Sequence, residues 1–217
     1  MNKFQLPRVA TPKDPLRLAV FISGSGSGMA ALLSHQQTSN CSHLTKLVVS
    51  NIHGVGGLQR AKNFAVRTEV VELKLDMERT THEDLIHEIL ELYEIEAIIL
   101  SGYMRILSPT FVEKWEGRIL NIHPSLLPNF PGAHPHKDAI KAGVKKSGCT
   151  VHFVDSGVDS GVIIAQSEAN ILPEDTVETL QNRIKKLEHV LYPSVIDAFS
   201  EGRLEIIENS KVIIHDR

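Results

Sequence analysis

Short runs rich in valine, isoleucine and leucine recur along the chain, separated by stretches with a three-to-four-residue apolar spacing. Leu16–Ile22 (LRLAVFI) and residues 45–49, 69–73, 96–100, 117–122 and 149–154 have the length of strands. Their apolarity is near-continuous rather than alternating, which predicts parallel strands covered on both faces. Residues 29–34, 57–64 and 81–92, lying between them, read as helices. This order predicts an α/β fold with a doubly wound, mostly parallel Rossmann-like sheet and helices on both faces.

The second half changes character. Three prolines and a glycine between Pro124 and Gly132 predict an ordered loop rather than a helix. Residues 161–172 predict a further strand, an antiparallel addition to the sheet. Pro173 and the pair Asp175 and Glu178 resemble a helix start with a reciprocal cap. Val177, Leu180, Ile184, Leu187 and Leu191 then follow at helical spacing, predicting a long amphipathic C-terminal helix. Residues 204–207 and 211–214 predict a small hairpin around Glu208, Asn209 and Ser210. Residues 1–15, with Pro12 and Pro15, read as a loose lead-in, and residues 16–217 as one domain.

Composition narrows the function. With 217 residues, 42% hydrophobic, 23% charged and a net charge of −3, the chain has no basic stripe for nucleic acid. It has no polybasic patch for a membrane surface either. No apolar run approaches the ~18 residues that a membrane-spanning helix needs, and the N-terminus lacks the apolar core of a secretory signal. Two cysteines, Cys41 and Cys149, far apart, predict a reduced, cytoplasmic protein in which both act as small buried hydrophobes.

Two places carry chemistry. After the first strand, Ser23-Gly24-Ser25-Gly26-Ser27-Gly28 leads into a helix, where close backbone approach and free N–H groups suit a phosphate. The loop lacks both the GK[ST] ending of a triphosphate loop and the G-x-G-x-x-G dinucleotide spacing. At the end of a later strand stands Asn121-Ile122-His123-Pro124. Alternation places Asn121 and His123 on one side, and Pro124 stops the ladder. An amide donor beside an imidazole at the C-terminal end of a strand suits a reaction that develops an oxyanion. A carboxylate from Asp155 or Asp159 in the next strand's loop favours the imidazolium and orients it. His134, His136 and His152 suggest a metal, but there is no C-x-x-C or H-E-x-x-H pattern, and no metal is expected. There is no G-x-S-x-G elbow for a serine hydrolase.

With YMRILSPTFV (103–112), RILNIHPSLLPNFPG (118–132), Val158-Asp159-Ser160-Gly161 and LEHVLYP (187–193), the chain resembles the phosphoribosylglycinamide formyltransferases between residues 16 and 204. The resemblance implies transfer of a formyl group from 10-formyltetrahydrofolate, as co-substrate, to the amine of glycinamide ribonucleotide in purine synthesis. Asn121, His123 and Asp159 match the family's catalytic trio. Gly26, Ser27 and Gly28 match its phosphate loop, and Lys185 and Glu188 match further ribonucleotide contacts. Arg79, Met104, Arg105, Ile106 and Leu107 match the folate pocket, with Asn121 and the loop of Asp155, Ser156, Gly157, Val158 and Asp159. A monomer or weak homodimer without nucleic-acid, membrane or metal partners is implied. The chain departs from the family's pattern at Gly28, where asparagine is usual. It also departs at Ala133 and Pro135, in place of leucine and threonine, and at Ser160-Gly161-Val162, in place of Gly-Gly-Pro.

Three other functions fit parts of this pattern. Formyl-folate hydrolases resemble the same core behind an additional N-terminal domain, whereas some fifteen residues precede the first strand here. Methionyl-tRNA formyltransferases share the trio but use a further C-terminal domain and a basic face. A non-catalytic binding module would have no need of the trio.

Overall fold

A computed structural model describes residues 4–37, 40–207 and 211–217. Strands β1 (Leu16–Ile22), β2 (His43–Ser50), β3 (Arg67–Val70), β4 (Ala97–Leu100) and β5 (Ile119–His123) run parallel. Two antiparallel strands, β6 (Lys146–Phe153) and β7 (Ile163–Asn170), complete a seven-stranded sheet in the order β3-β2-β1-β4-β5-β6-β7. Helices α1 (Ser27–His35), α2 (Gly56–Asn63), α3 (Arg79–Leu92), α4 (Pro109–Lys114), α5 (Pro135–Lys141) and α6 (Val177–Ser200) flank it. No helix among the described residues is long and apolar enough to cross a membrane.

The pleat of β1 explains the double-sided sheet. Leu18, Val20 and Ile22 join Met29 and Leu32 of α1 and Val195, Ile196 and Phe199 of α6 in one core. Ala19 and Phe21 point the other way, toward Ile86 and Leu90 of α3, with Phe111 and Trp115. Full burial of each large side chain contributes about 1.5–3 kcal/mol. A one-residue slip would therefore exchange two packed cores at once, which fixes the register.

Several expectations need correction. Strand β6 is nearly all buried yet antiparallel to both neighbours, so continuous apolarity reports two covered faces and not direction. The short helices α4 and α5 are absent from the sequence reading, because each opens on a proline and offers too few turns for a periodic signal. The reciprocal cap of α6 is made by Thr176 and Thr179 rather than Asp175 and Glu178. Asp175 instead holds Arg183 in an ion pair and accepts from the Leu172 N–H. Nor is the lead-in loose: the Ala10 N–H donates to the Ser200 carbonyl at 2.8 Å and the Phe4 ring meets Phe153 edge-on at 4.8 Å. β8 (Leu204–Ile207) and β9 (Lys211–Ile214) pair as a hairpin, while its tip at Glu208, Asn209 and Ser210 lies outside the described residues.

Candidate active site

A cavity of about 750 Å³ opens along the ends of β1, β4 and β5. The phosphate-loop candidates Gly26, Ser27 and Gly28 line one end, with Lys185 and Glu188 beside them on α6. Met104, Arg105, Ile106 and Leu107 line the other, facing Asp155, Gly157 and Val158. Asn121, His123 and Asp159 stand between the two ends. Arg79 and Ser156, both expected in the pocket, do not line it. The Arg79 Nη1 reaches the Ile106 carbonyl at 3.4 Å from outside, bracing the loop instead.

The first loop is built for close approach. Gly26 caps α1 with φ 66°, a left-handed conformation that glycine adopts freely. A Cβ there would also lie 2.8 Å from the Gly57 Cα, so α2 packs directly on the loop. No side chain caps α1, and its first-turn N–H groups lie at the positive end of the helix dipole. Ser23 joins this loop to the next: its Oγ accepts from the Met104 N–H at 2.8 Å and donates to Asn51 Oδ1. The loop after β4 presents Met104, Ile106 and Val158 (from the facing loop) as exposed apolar side chains, 72%, 58% and 52% accessible. Such exposure at a concave wall marks a place for a flat apolar group.

At the centre, β5 presents Asn121 and His123 on one face, as alternation requires. The His123 Nε2 lies 2.9 Å from the Phe130 carbonyl and its Nδ1 lies 3.3 Å from Asp159 Oδ2. Both partners can only accept, so an N–H on each ring nitrogen is satisfied. Asp159, not Asp155, faces the imidazole. Asp159 holds a positive φ of 51° and its Oδ2 accepts from the Gly132 N–H at 2.8 Å. Asp155 turns into its own loop, accepting from the Gly157 N–H and the Ser160 hydroxyl. Asp159 reaches this contact by way of an antiparallel strand. Phe153 pairs with Leu120, near the start of β5, so the loop leaves antiparallel β6 at the opposite end and Asp159 reaches His123 from the β6–β7 turn.

The sequence profile of the formyl transferase family matches residues 16–196. The chain belongs to this family. It is 37% identical over 196 residues to the phosphoribosylglycinamide formyltransferase of Escherichia coli (strain K12), covering 90% of this chain and 92% of that protein. It is 43% identical over 199 residues to the trifunctional purine biosynthetic protein adenosine-3 of Gallus gallus, of which it spans 20% of the length. The solved glycinamide ribonucleotide transformylase 1 from Symbiobacterium toebii matches with a TM-score of 0.89 at 40% identity, covering 93% of this chain and 95% of that one.

Two histidines considered only as metal candidates have other places in this formyl transferase fold. His152, across the ladder from Asn121, is buried, and burial holds it below the ordinary histidine range. Its Nδ1–H donates to the Phe153 carbonyl at 2.8 Å, leaving Nε2 bare to accept from Asn121 Nδ2 at 3.1 Å. This network assigns the tautomer and the amide together. A reversed Asn121 amide would need a proton on Nε2 and would strand Nδ1 against a carbonyl. The second Nδ2 hydrogen of Asn121 remains for the cavity. His136, on α5, lines the cavity with a buried Nε2 that has no partner, and burial again lowers its pKa. Cross-strand register carries His152 to Asn121, a relation that separate segments of sequence do not display. Tyr192 on α6 is the third unanticipated member; its hydroxyl sits between the Leu100 and Leu120 carbonyls at 3.0 and 2.8 Å, locking α6 to the ends of β4 and β5.

Proposed function

We propose that the chain transfers the formyl group of 10-formyltetrahydrofolate to the amine of glycinamide ribonucleotide, in the cytoplasm and without a metal at the reacting centre. One observation carries this reading: an amide N–H, an imidazole and a carboxylate share one cavity with a phosphate-type loop and an apolar wall. The wall of Met104, Ile106 and Val158 suits a folate ring system, and Arg105 at the same end offers a cation for its carboxylates. Formyl-folate supplies an electrophilic carbonyl carbon. The free Asn121 N–H donates to the carbonyl oxygen as charge builds on it, and the His123 Nε2–H joins it once it turns from the Phe130 carbonyl, a stabilisation commonly worth about 3–4 kcal/mol per donor. Asp159 holds His123 in line and lies where a proton lost by the attacking amine can be passed to the departing folate nitrogen. At the other end, the N-terminus of α1 and Lys185 hold the phosphate, with Glu188 beside the sugar.

The test is a formyl-transfer assay with glycinamide ribonucleotide, other sugar amines and water alone. Folate product that appears only with glycinamide ribonucleotide supports the assignment. Equal turnover with water alone means a formyl-folate hydrolase, and turnover with a different amine alone moves the substrate.

A further inference from the structure

A second group of ligating side chains lies apart from the cavity. His35 ends α1, Cys41 and His43 lead into β2, and Asp197 faces them from the last turns of α6. One ligating atom from each lies within 4.8 Å of all the others. His35 Nε2 is 2.9 Å from Asp197 Oδ2, and His43 Nε2 is 2.9 Å from Asp197 Oδ1. The Cys41 Sγ is 3.3 Å from His43 Nε2 and 3.9 Å from Asp197 Oδ1. None of the four lines the cavity.

We propose that His35, Cys41, His43 and Asp197 form a closed tetrahedral site for a zinc-class divalent cation, which clamps α1, the start of β2 and α6 together.

The donor set argues for this class of ion. Two imidazole nitrogens, a sulfur and a carboxylate oxygen match borderline-soft Zn²⁺ and are unlike the all-oxygen sets of Mg²⁺ or Ca²⁺. Ligand atoms around a tetrahedral Zn²⁺ lie about 3.3–3.8 Å apart, given bonds of about 2.0–2.3 Å. The observed spacings bracket that range, so small side-chain rotations close the site. Four protein ligands leave no open position, so the site is structural. Two charged neighbours face it: Arg217 lies 3.5 Å from Asp197 Oδ2 and itself pairs with Glu201. Arg217 can keep Oδ2 while Oδ1 turns to the ion. The clamp joins the far ends of the two helices whose other portions line the cavity, α1 through its N-terminal loop and α6 through Lys185 and Glu188.

The surroundings of His43 supply a discriminating test. Gln36 accepts from the Thr45 N–H through Oε1 at 3.1 Å, which points its Nε2–H at His43 Nδ1, 2.8 Å away. The His43 proton therefore sits on Nε2, toward Asp197. Cation binding moves that proton to Nδ1 and turns the Gln36 amide against the Thr45 N–H. Gln36→Glu removes the conflict, because a carboxylate accepts from both Thr45 N–H and His43 Nδ1–H.

Chelator-stripped protein titrated with Co²⁺, then displaced with Zn²⁺, reads the site directly. The expected result is one equivalent with a thiolate-to-cobalt charge-transfer band and strong tetrahedral d–d bands. Those bands vanish in Cys41→Ser and persist in His123→Ala. Binding should tighten about tenfold in Gln36→Glu, the scale of outer-shell effects on metal affinity. Zn²⁺ should raise the Tm of the native chain but not of Cys41→Ser. The proposal is overturned by stoichiometric cobalt without a sulfur band, by a band that survives Cys41→Ser, by Gln36→Glu binding no tighter, or by a Tm indifferent to zinc.

Discussion

Asn121 donates to His152 because a backbone carbonyl, that of Phe153, selects the histidine's tautomer. A main-chain oxygen thus determines which face the catalytic candidate turns to the cavity. On this reading His123→Ala and Asn121→Ala should each lower kcat by about two to three orders of magnitude with folate binding largely kept. His152→Phe keeps an aromatic ring, somewhat larger than imidazole, but gives the Asn121 amide no acceptor. It should cost about 10–100-fold in kcat, the scale of losing an orienting partner, with the KM for folate little changed. Steady-state kinetics on the three variants checks both; native turnover in His152→Phe would dissociate the tautomer from the amide. Of these residues, Asn121 and His123 were legible in the sequence, since period-two alternation and a terminating proline are local. His152 was not, because its role exists only through pairing of β5 with β6.

At the scale of an element, α1 begins where Gly28 departs from its family's usual asparagine. The space explains part of this: a Cβ at Gly28 would lie 2.8 Å from the Ser101 Oγ at the end of β4. Gly28→Asn must therefore push that hydroxyl aside before it can offer a new hydrogen bond. The single substitution should gain little affinity for glycinamide ribonucleotide. Combined with Ser101→Ala, it should gain about 0.5–3 kcal/mol, the worth of one or two hydrogen bonds. Calorimetry on the two single variants and the double closes the cycle, with a coupling of about 1 kcal/mol expected for residues in contact. Strict additivity would show that the two positions do not share the space. The glycine-rich loop and the following helix were readable from composition, whereas the competitor for the side chain's volume comes from a different strand.

Across the whole molecule, the cavity is held open at a cost in stability. Glu188 is half-buried on α6, and desolvation raises its carboxyl to about 7 from an ordinary 4.5, against the favourable pull of Lys185. A raised acid pKa means that the native state binds more protons than the unfolded chain between those two values. Stability from this group is therefore present below the ordinary pKa and lost as pH rises toward 7. Glu188→Gln should stabilise the fold by about 1–3 kcal/mol at pH 8, within the bound set by 1.36 kcal/mol per pKa unit. Little change is expected well below pH 4.5, and ribonucleotide binding should weaken. Chemical denaturation at both pH values measures it; an equal gain at both would remove the ionisation argument.

The same division runs through the fold. Local patterns determined the succession of β1 to β5 with helices α1 to α3, the long α6, and the pair Asn121 and His123, because each rests on a periodicity or a turn within a dozen residues. Strand direction belongs to the sheet: β6 is nearly as buried as the parallel strands β1 and β4, yet it runs antiparallel to both of its neighbours. That reversal decides that Asp159 rather than Asp155 meets His123, and it sets His152 against Asn121. It is tertiary packing again that brings Asp197 to His35, 162 residues away in the chain, and to Cys41 and His43, three side chains that no spacing motif had connected. Contacts of that kind depend on which faces two helices bury together, and a one-dimensional pattern records that each face is apolar without recording what it meets.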